Sequence, residues 1–170
     1  MKVLLVLALV AVVTLASDVA PFFDAARDTR FLVFTRFNPT IAQVVGLHDM
    51  DSVRASNWDA SRPTRVIIHG QLSDGDSELN IVLTAAYLRS IDANIVVVDW
   101  GLGANTINYI TARNQVGNVG AVIATFLDNL HASGLMDFGR LTVAAHSLGG
   151  HVGGFVGKRV TRGRVHTIIG

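Results

Sequence analysis

The chain has 170 residues, 50% of them hydrophobic and 16% charged, with 14 Lys plus Arg against 13 Asp plus Glu. That length suits one domain; the composition is too apolar for a solvating disordered segment and too evenly charged for a nucleic-acid footprint. There is no cysteine, which excludes disulfides, thiolate nucleophiles and thiolate metal sites.

The sequence opens on Met1-Lys2 and an apolar run from Val3 to Leu15 broken only by Thr14, followed by small residues. A positive start, a short apolar stretch and a small-residue exit predict a secretory signal peptide over residues 1–17. The run falls short of the roughly 20 residues a bilayer span needs, so no transmembrane segment is expected in the mature chain, residues 18–170. A secreted domain without cysteine must be held by its core alone.

Phe31 to Phe37 predicts a strand from its aromatic and β-branched content, ended by Asn38-Pro39, and Ile41 to Val45 a weaker one. Residues 48 to 62 are polar and predict loop and edge structure. Arg65 to His69 and Asn94 to Asp99 are short continuous apolar strands. Between them Ser77 can cap a helix over Glu78 to Ser90, with Leu79, Val82, Leu83, Ala86 and Tyr87 on one face. A longer helix is predicted over Ala112 to His131, where Val116, Val119, Ile123, Leu127 and Leu130 recur at helical spacing. Leu141 to Ala145 is a third buried-type strand, Leu148 to Val160 a Gly-rich helix, and Val165 to Ile169 a last strand. Strands without polar alternation are covered on both faces. Alternating them with helices predicts βαβ units and a mainly parallel sheet, with the early β material extending one edge.

Ala145-His-Ser-Leu-Gly149 falls at the predicted strand-to-helix junction. This is a nucleophile-elbow pattern with Ala145 in place of the first Gly. A sharp turn would hold Ser147 exposed, and small neighbours two residues either side keep side chains out of the turn. The helix start aims N–H groups and its positive dipole end at the reacting centre, making the Leu148 N–H a natural oxyanion donor. His69-Gly70-Gln71 follows a strand where the loop supplying a second donor belongs. His69 itself reads as a hydrogen-bonded core histidine that orients this loop.

Four segments in this order, Phe31-Leu-Val-Phe-Thr-Arg-Phe-Asn-Pro39, Thr64-Arg-Val-Ile-Ile-His-Gly70, Val98-Asp-Trp100 and Ala144-Ala-His-Ser-Leu-Gly-Gly-His151, resemble the animal neutral, or pancreatic-type, lipases, including insect secreted lipases and the phospholipase A1 branch. The resemblance covers nearly the whole mature chain. It implies an α/β-hydrolase fold and a secreted ester hydrolase acting on lipids, at a lipid–water interface. It further implies Ser147 as nucleophile and the main-chain N–H groups of Gln71 and Leu148 as oxyanion hole. The family often has an aromatic residue where this chain has Gln71, which makes that part of the acyl pocket more polar.

In this fold the order is Ser, then acid, then His, yet no Asp or Glu follows Ser147. The later histidines are His151, which a helix after Ser147 should turn into the packing, and His166 in the last strand. The resemblance explains the gap, because the family continues past such a strand with a Leu-Asp-Pro whose Asp is the triad acid, and the base comes later still. The chain therefore reads as an N-terminal piece, lacking triad Asp and His and inactive or nearly so alone. The chemistry requires no metal or organic cofactor. Asp99 reads as structural. Asp74, Asp76 and Glu78 lack a calcium-loop spacing. Lys158, Arg159, Arg162 and Arg164 form a basic run that reads as a solvated face. A non-catalytic lipid carrier or yolk-type protein on the same fold is the alternative from another class. A thioesterase or cuticle-ester hydrolase would share these features.

Overall fold

A computed structural model describes residues 22–170; the predicted signal peptide lies outside the described residues. The strands are β1 (Arg30–Phe34), β2 (Gln43–Val45), β3 (Thr64–Ile68), β4 (Asn94–Asp99), β5 (Leu141–Ala145) and β6 (Thr167–Ile169), joined in a six-stranded sheet of order β2-β1-β4-β3-β5-β6. The β4-β3-β5-β6 pairs are parallel, and β1 runs antiparallel to both β4 and β2. The expected parallel sheet with an antiparallel edge is what the chain forms.

The helices are α1 (Ala25–Asp28), α2 (Met50–Arg54), α3 (Glu78–Ser90), α4 (Gly101–Ala104), α5 (Tyr109–Ala132) and α6 (Leu148–Arg159). Strand alternation decides which face each meets. Val66, Ile68, Val96, Val98 and Val143 join the buried cluster that holds Val119, Ile123 and Leu127 of α5 and Val152 and Val156 of α6. Ile67, Ile95 and Val97 join the opposite cluster, with Leu88 buried and Leu83 and Tyr87 of α3 half-buried against them. Helices thus cover both faces, which is why the strands read as unbroken apolar runs. Phe31 stacks on Phe126 with ring centroids 3.9 Å apart, pinning the antiparallel strand to α5.

Four expectations need correction. The first strand ends at Phe34 because a side-chain turn replaces the ladder. Asn38 Oδ1 accepts from Thr35 N at 3.1 Å and from Thr35 Oγ1 at 2.7 Å, while Asn38 Nδ2 donates to Val33 O at 2.8 Å. Within the polar stretch 48–62, α2 forms because Asp49 Oδ1 accepts from Ser52 N at 3.1 Å and Val53 is fully buried. On α3 Leu83 and Tyr87 face the sheet as expected, but the fully buried residues are Asn80, Thr84 and Leu88, while Leu79 and Val82 point outward. Asn80 Nδ2 donates to Asp74 O at 2.8 Å, so the preceding loop and the helix are tied through a polar inward face. Ser77 is the N-cap residue by position, but its hydroxyl makes no capping hydrogen bond.

Candidate active site

The site is built where β5 passes into α6. Ser147 has φ 55° and ψ −123°, a region that side-chain-bearing residues enter only under strain. The turn is held from both sides. His146 N donates to Ile68 O at 3.0 Å, and Gly149 N donates back to His146 O at 2.9 Å. The strained backbone leaves Ser147 exposed at the mouth of the parallel strands, while Leu148 behind it is buried.

Two glycines permit this geometry. A Cβ on Gly149 would stand 2.5 Å from both Ile68 O and His69 O, so only glycine lets α6 start this close to the end of β3. A Cβ on Gly70 would stand 2.9 Å from His146 O and 3.0 Å from Ser147 Cβ, so the loop after β3 rests directly against the serine. Farther along α6, a Cβ on Gly153 would meet Val143 and Ile168 at 3.5 Å and Ala145 at 3.6 Å, whereas one on Gly154 would meet nothing within 4 Å.

The loop carrying Gln71 is tied down independently. Leu72 takes a left-handed φ of 57°, its N–H donates to Ala104 O at 3.0 Å, and Gln71 Nε2 donates to Thr106 O at 2.7 Å. The polar residue at position 71 therefore serves as a strut to the segment after α4, a role its sequence alone did not reveal. Among the described residues, neither the Gln71 nor the Leu148 main-chain N–H donates to a protein acceptor. The Leu148 N–H, next to exposed Ser147 at the start of α6, and the Gln71 N–H, next to the Gly70 that packs against Ser147, are thus both without a protein acceptor.

His69 is fully buried and both its ring nitrogens are engaged. Nδ1 lies 2.9 Å from Gly70 O, and Nε2 accepts from Trp100 N at 3.2 Å; the second contact puts the ring proton on Nδ1. Trp100 stacks on the imidazole at 5.6 Å and its Nε1 donates to His69 O at 2.9 Å. The histidine is spent on the loop, as expected from sequence. Asp99 is equally committed: it accepts from Arg30 Nε at 3.0 Å, from Arg30 Nη2, and from Gly101 N at 2.9 Å. Burial opposes its charge, but the Gly101 N–H and the Arg30 guanidinium hold its carboxyl well below the usual carboxylate range.

That depression has a testable sign. A carboxyl stronger in the folded than in the unfolded chain adds stability above its unfolded pKa of about 3.9 and loses it as pH falls through the folded value. Asp99→Asn is expected to cost about 1–2 kcal/mol at neutral pH, allowing for solvent around Arg30, with the gap to the parent narrowing below about pH 4. Denaturant melts across pH check this; a gap of constant size from neutral into acid would contradict it.

His151 does not turn into the packing; it is exposed on the outer side of α6 and lines a groove against α5. His166 is also exposed, its Nδ1 2.8 Å from Thr167 Oγ1. Among the described residues no cluster of His, Asp and Glu is placed to hold a metal ion.

The family described as Lipase matches residues 12–170. The chain is 36% identical over 139 residues to the inactive pancreatic lipase-related protein 1 of Mus musculus, covering 82% of this chain and 29% of that protein. It is 34% identical over 152 residues to the pancreatic triacylglycerol lipase of Myocastor coypus, covering 89% and 33%, and 32% identical over 154 residues to pancreatic lipase-related protein 2 of Mus musculus, covering 91% and 32%. The chain spans about a third of the length of these curated relatives. An α/β-hydrolase sheet and a strained serine at its elbow accompany that match, and the chain belongs to the pancreatic-type lipase family.

Proposed function

We propose that Ser147 is the nucleophile of a secreted serine hydrolase of carboxylic esters, a lipase of the triacylglycerol or phospholipase A1 type serving lipid breakdown. Its Oγ attacks the ester carbonyl carbon while the Gln71 and Leu148 N–H groups receive the oxyanion. The alcohol leaves with a proton, and water then attacks the acyl-serine to release the fatty acid. The observation that carries this reading is the positive φ of Ser147 at the β5–α6 junction, with Gly70 packed against it. Exposed Leu72, Leu102, Ile107 and Ile110, on the loops and helix starts that follow β3 and β4, suit a lipid–water interface. The apolar run before residue 18 supports secretion, and among the described residues no helix is long and apolar enough to cross a membrane.

A serine needs a base to act near neutral pH. His69 is committed elsewhere, and no Asp or Glu follows Ser147, so this reading assigns the acid and base to residues outside these 170. The test compares the 170-residue chain with a longer polypeptide that continues past Gly170, using a short-chain ester. Turnover by the longer form alone is expected. Robust turnover by the shorter form would contradict the assignment of acid and base, and none by either would contradict the hydrolase reading. That last outcome favours a second reading, a non-catalytic lipid-binding or yolk-type protein, which the similarity to a relative named as inactive supports.

A further inference from the structure

A groove of about 540 Å³ runs between α5 and α6. Half-buried Phe155 forms its one apolar wall, with Val116 and Leu148 nearly buried beneath, and Tyr109, Arg113, Asn114, His151 and Arg159 line the rest. Both arginines line it. Arg159 Nη2 comes within 3.9 Å of where a Cβ on Gly117 would stand, one helical turn along α5 from Arg113. Arg159 is further fixed by Phe155, its Cζ 5.5 Å from that ring's centroid, with Lys158 Nζ over the same ring at 5.8 Å. No carboxylate lines the groove, and among the described residues neither Arg113, Lys158 nor Arg159 forms an ion pair. Asp128, farther along α5, is already occupied: its oxygens accept from Thr161 N at 2.9 Å, Thr161 Oγ1 at 2.7 Å and Arg162 N at 3.0 Å.

A groove with one aromatic wall and uncompensated guanidinium groups fits an amphiphile with an anionic head, and arginine pairs most strongly with phosphate oxygens. We propose that this groove binds a single phosphate-bearing lipid, its phosphate held by Arg113 and Arg159 and its apolar part lying along Phe155 and its neighbours. The site goes beyond the ester hydrolase reading and does not depend on it, because Arg113, Phe155 and Arg159 take no part in the proposed reaction.

The test is calorimetric titration of the Ser147→Ala chain, which removes the nucleophile, with dihexanoyl phosphatidic acid kept below its micellar concentration, and separately with inorganic phosphate. The lipid is expected to bind more tightly than phosphate. Arg113→Gln with Arg159→Gln should weaken both ligands about tenfold or more, and Phe155→Ala should weaken the lipid alone. Arg162→Gln with Arg164→Gln, which removes the same charge outside the groove, should change either by less than about twofold. Circular dichroism confirms that each variant folds. Equal losses in the two arginine pairs, equal affinity for lipid and phosphate, or no binding of the lipid would each overturn the site. Failure of ester turnover leaves these readouts untouched, so the two readings fail separately.

Discussion

Gly149→Ala is expected to cost about 3 kcal/mol and to disorganise the proposed site, although it adds only one methyl group. The new Cβ would stand 2.5 Å from two main-chain oxygens, those of Ile68 and His69. Neither can swing aside as a flexible side chain would, because Ile68 O accepts from His146 N at 3.0 Å and His69 O from Trp100 Nε1 at 2.9 Å. The helix start must retreat from β3, carrying Ser147 and the Leu148 N–H with it. Gly154→Ala on the same helix is the control: a Cβ there meets nothing within 4 Å, so the change should stabilise by about 0.5–1 kcal/mol through helix propensity. Thermal or denaturant melts of the two variants check the contrast. Similar effects from both would mean that the close approach at Gly149 is unimportant.

Ser147→Gly should separate chemistry from stability. Glycine adopts φ 55° and ψ −123° at little cost, so the variant should gain about 1 kcal/mol by releasing backbone strain. In the longer, turnover-competent polypeptide the same change should lower ester hydrolysis roughly a million-fold, the scale on which loss of a serine nucleophile is felt. A strained residue that stabilises when removed and abolishes activity when lost is one kept for its chemistry. A variant that loses stability as well would place Ser147 among ordinary structural residues.

The sheet was largely legible in the sequence because its strands are covered on both faces: Asn94 to Asp99 is buried at every position, which leaves an unbroken apolar signature. The elbow was legible because small residues are forced at its tight points, Gly149 most of all. What sequence did not reveal was set by polar contacts between distant segments. The Gln71 amide reaches Thr106 O across 35 positions, and no local pattern signals such a strut. On α3 the expected face was only partly right: Leu83 and Tyr87 lie against the sheet, but Asn80 and Thr84 turn inward as well, while Leu79 and Val82 remain exposed; periodicity ranks residues by hydrophobicity and cannot see a loop that needs an inward amide. α2 escaped notice because one buried residue, Val53, and an aspartate cap suffice for five residues of helix. His151 was expected in the packing, but α6 lies on the sheet through Gly149 and Gly153, which turns His151 toward α5 and solvent.

Mass-spectrometric mapping of a fluorophosphonate adduct on the longer polypeptide tests the role of Ser147 most directly. Modification confined to Ser147, and lost in Ser147→Ala, is the predicted result. An adduct on another residue, or ester turnover that survives Ser147→Ala, would contradict it.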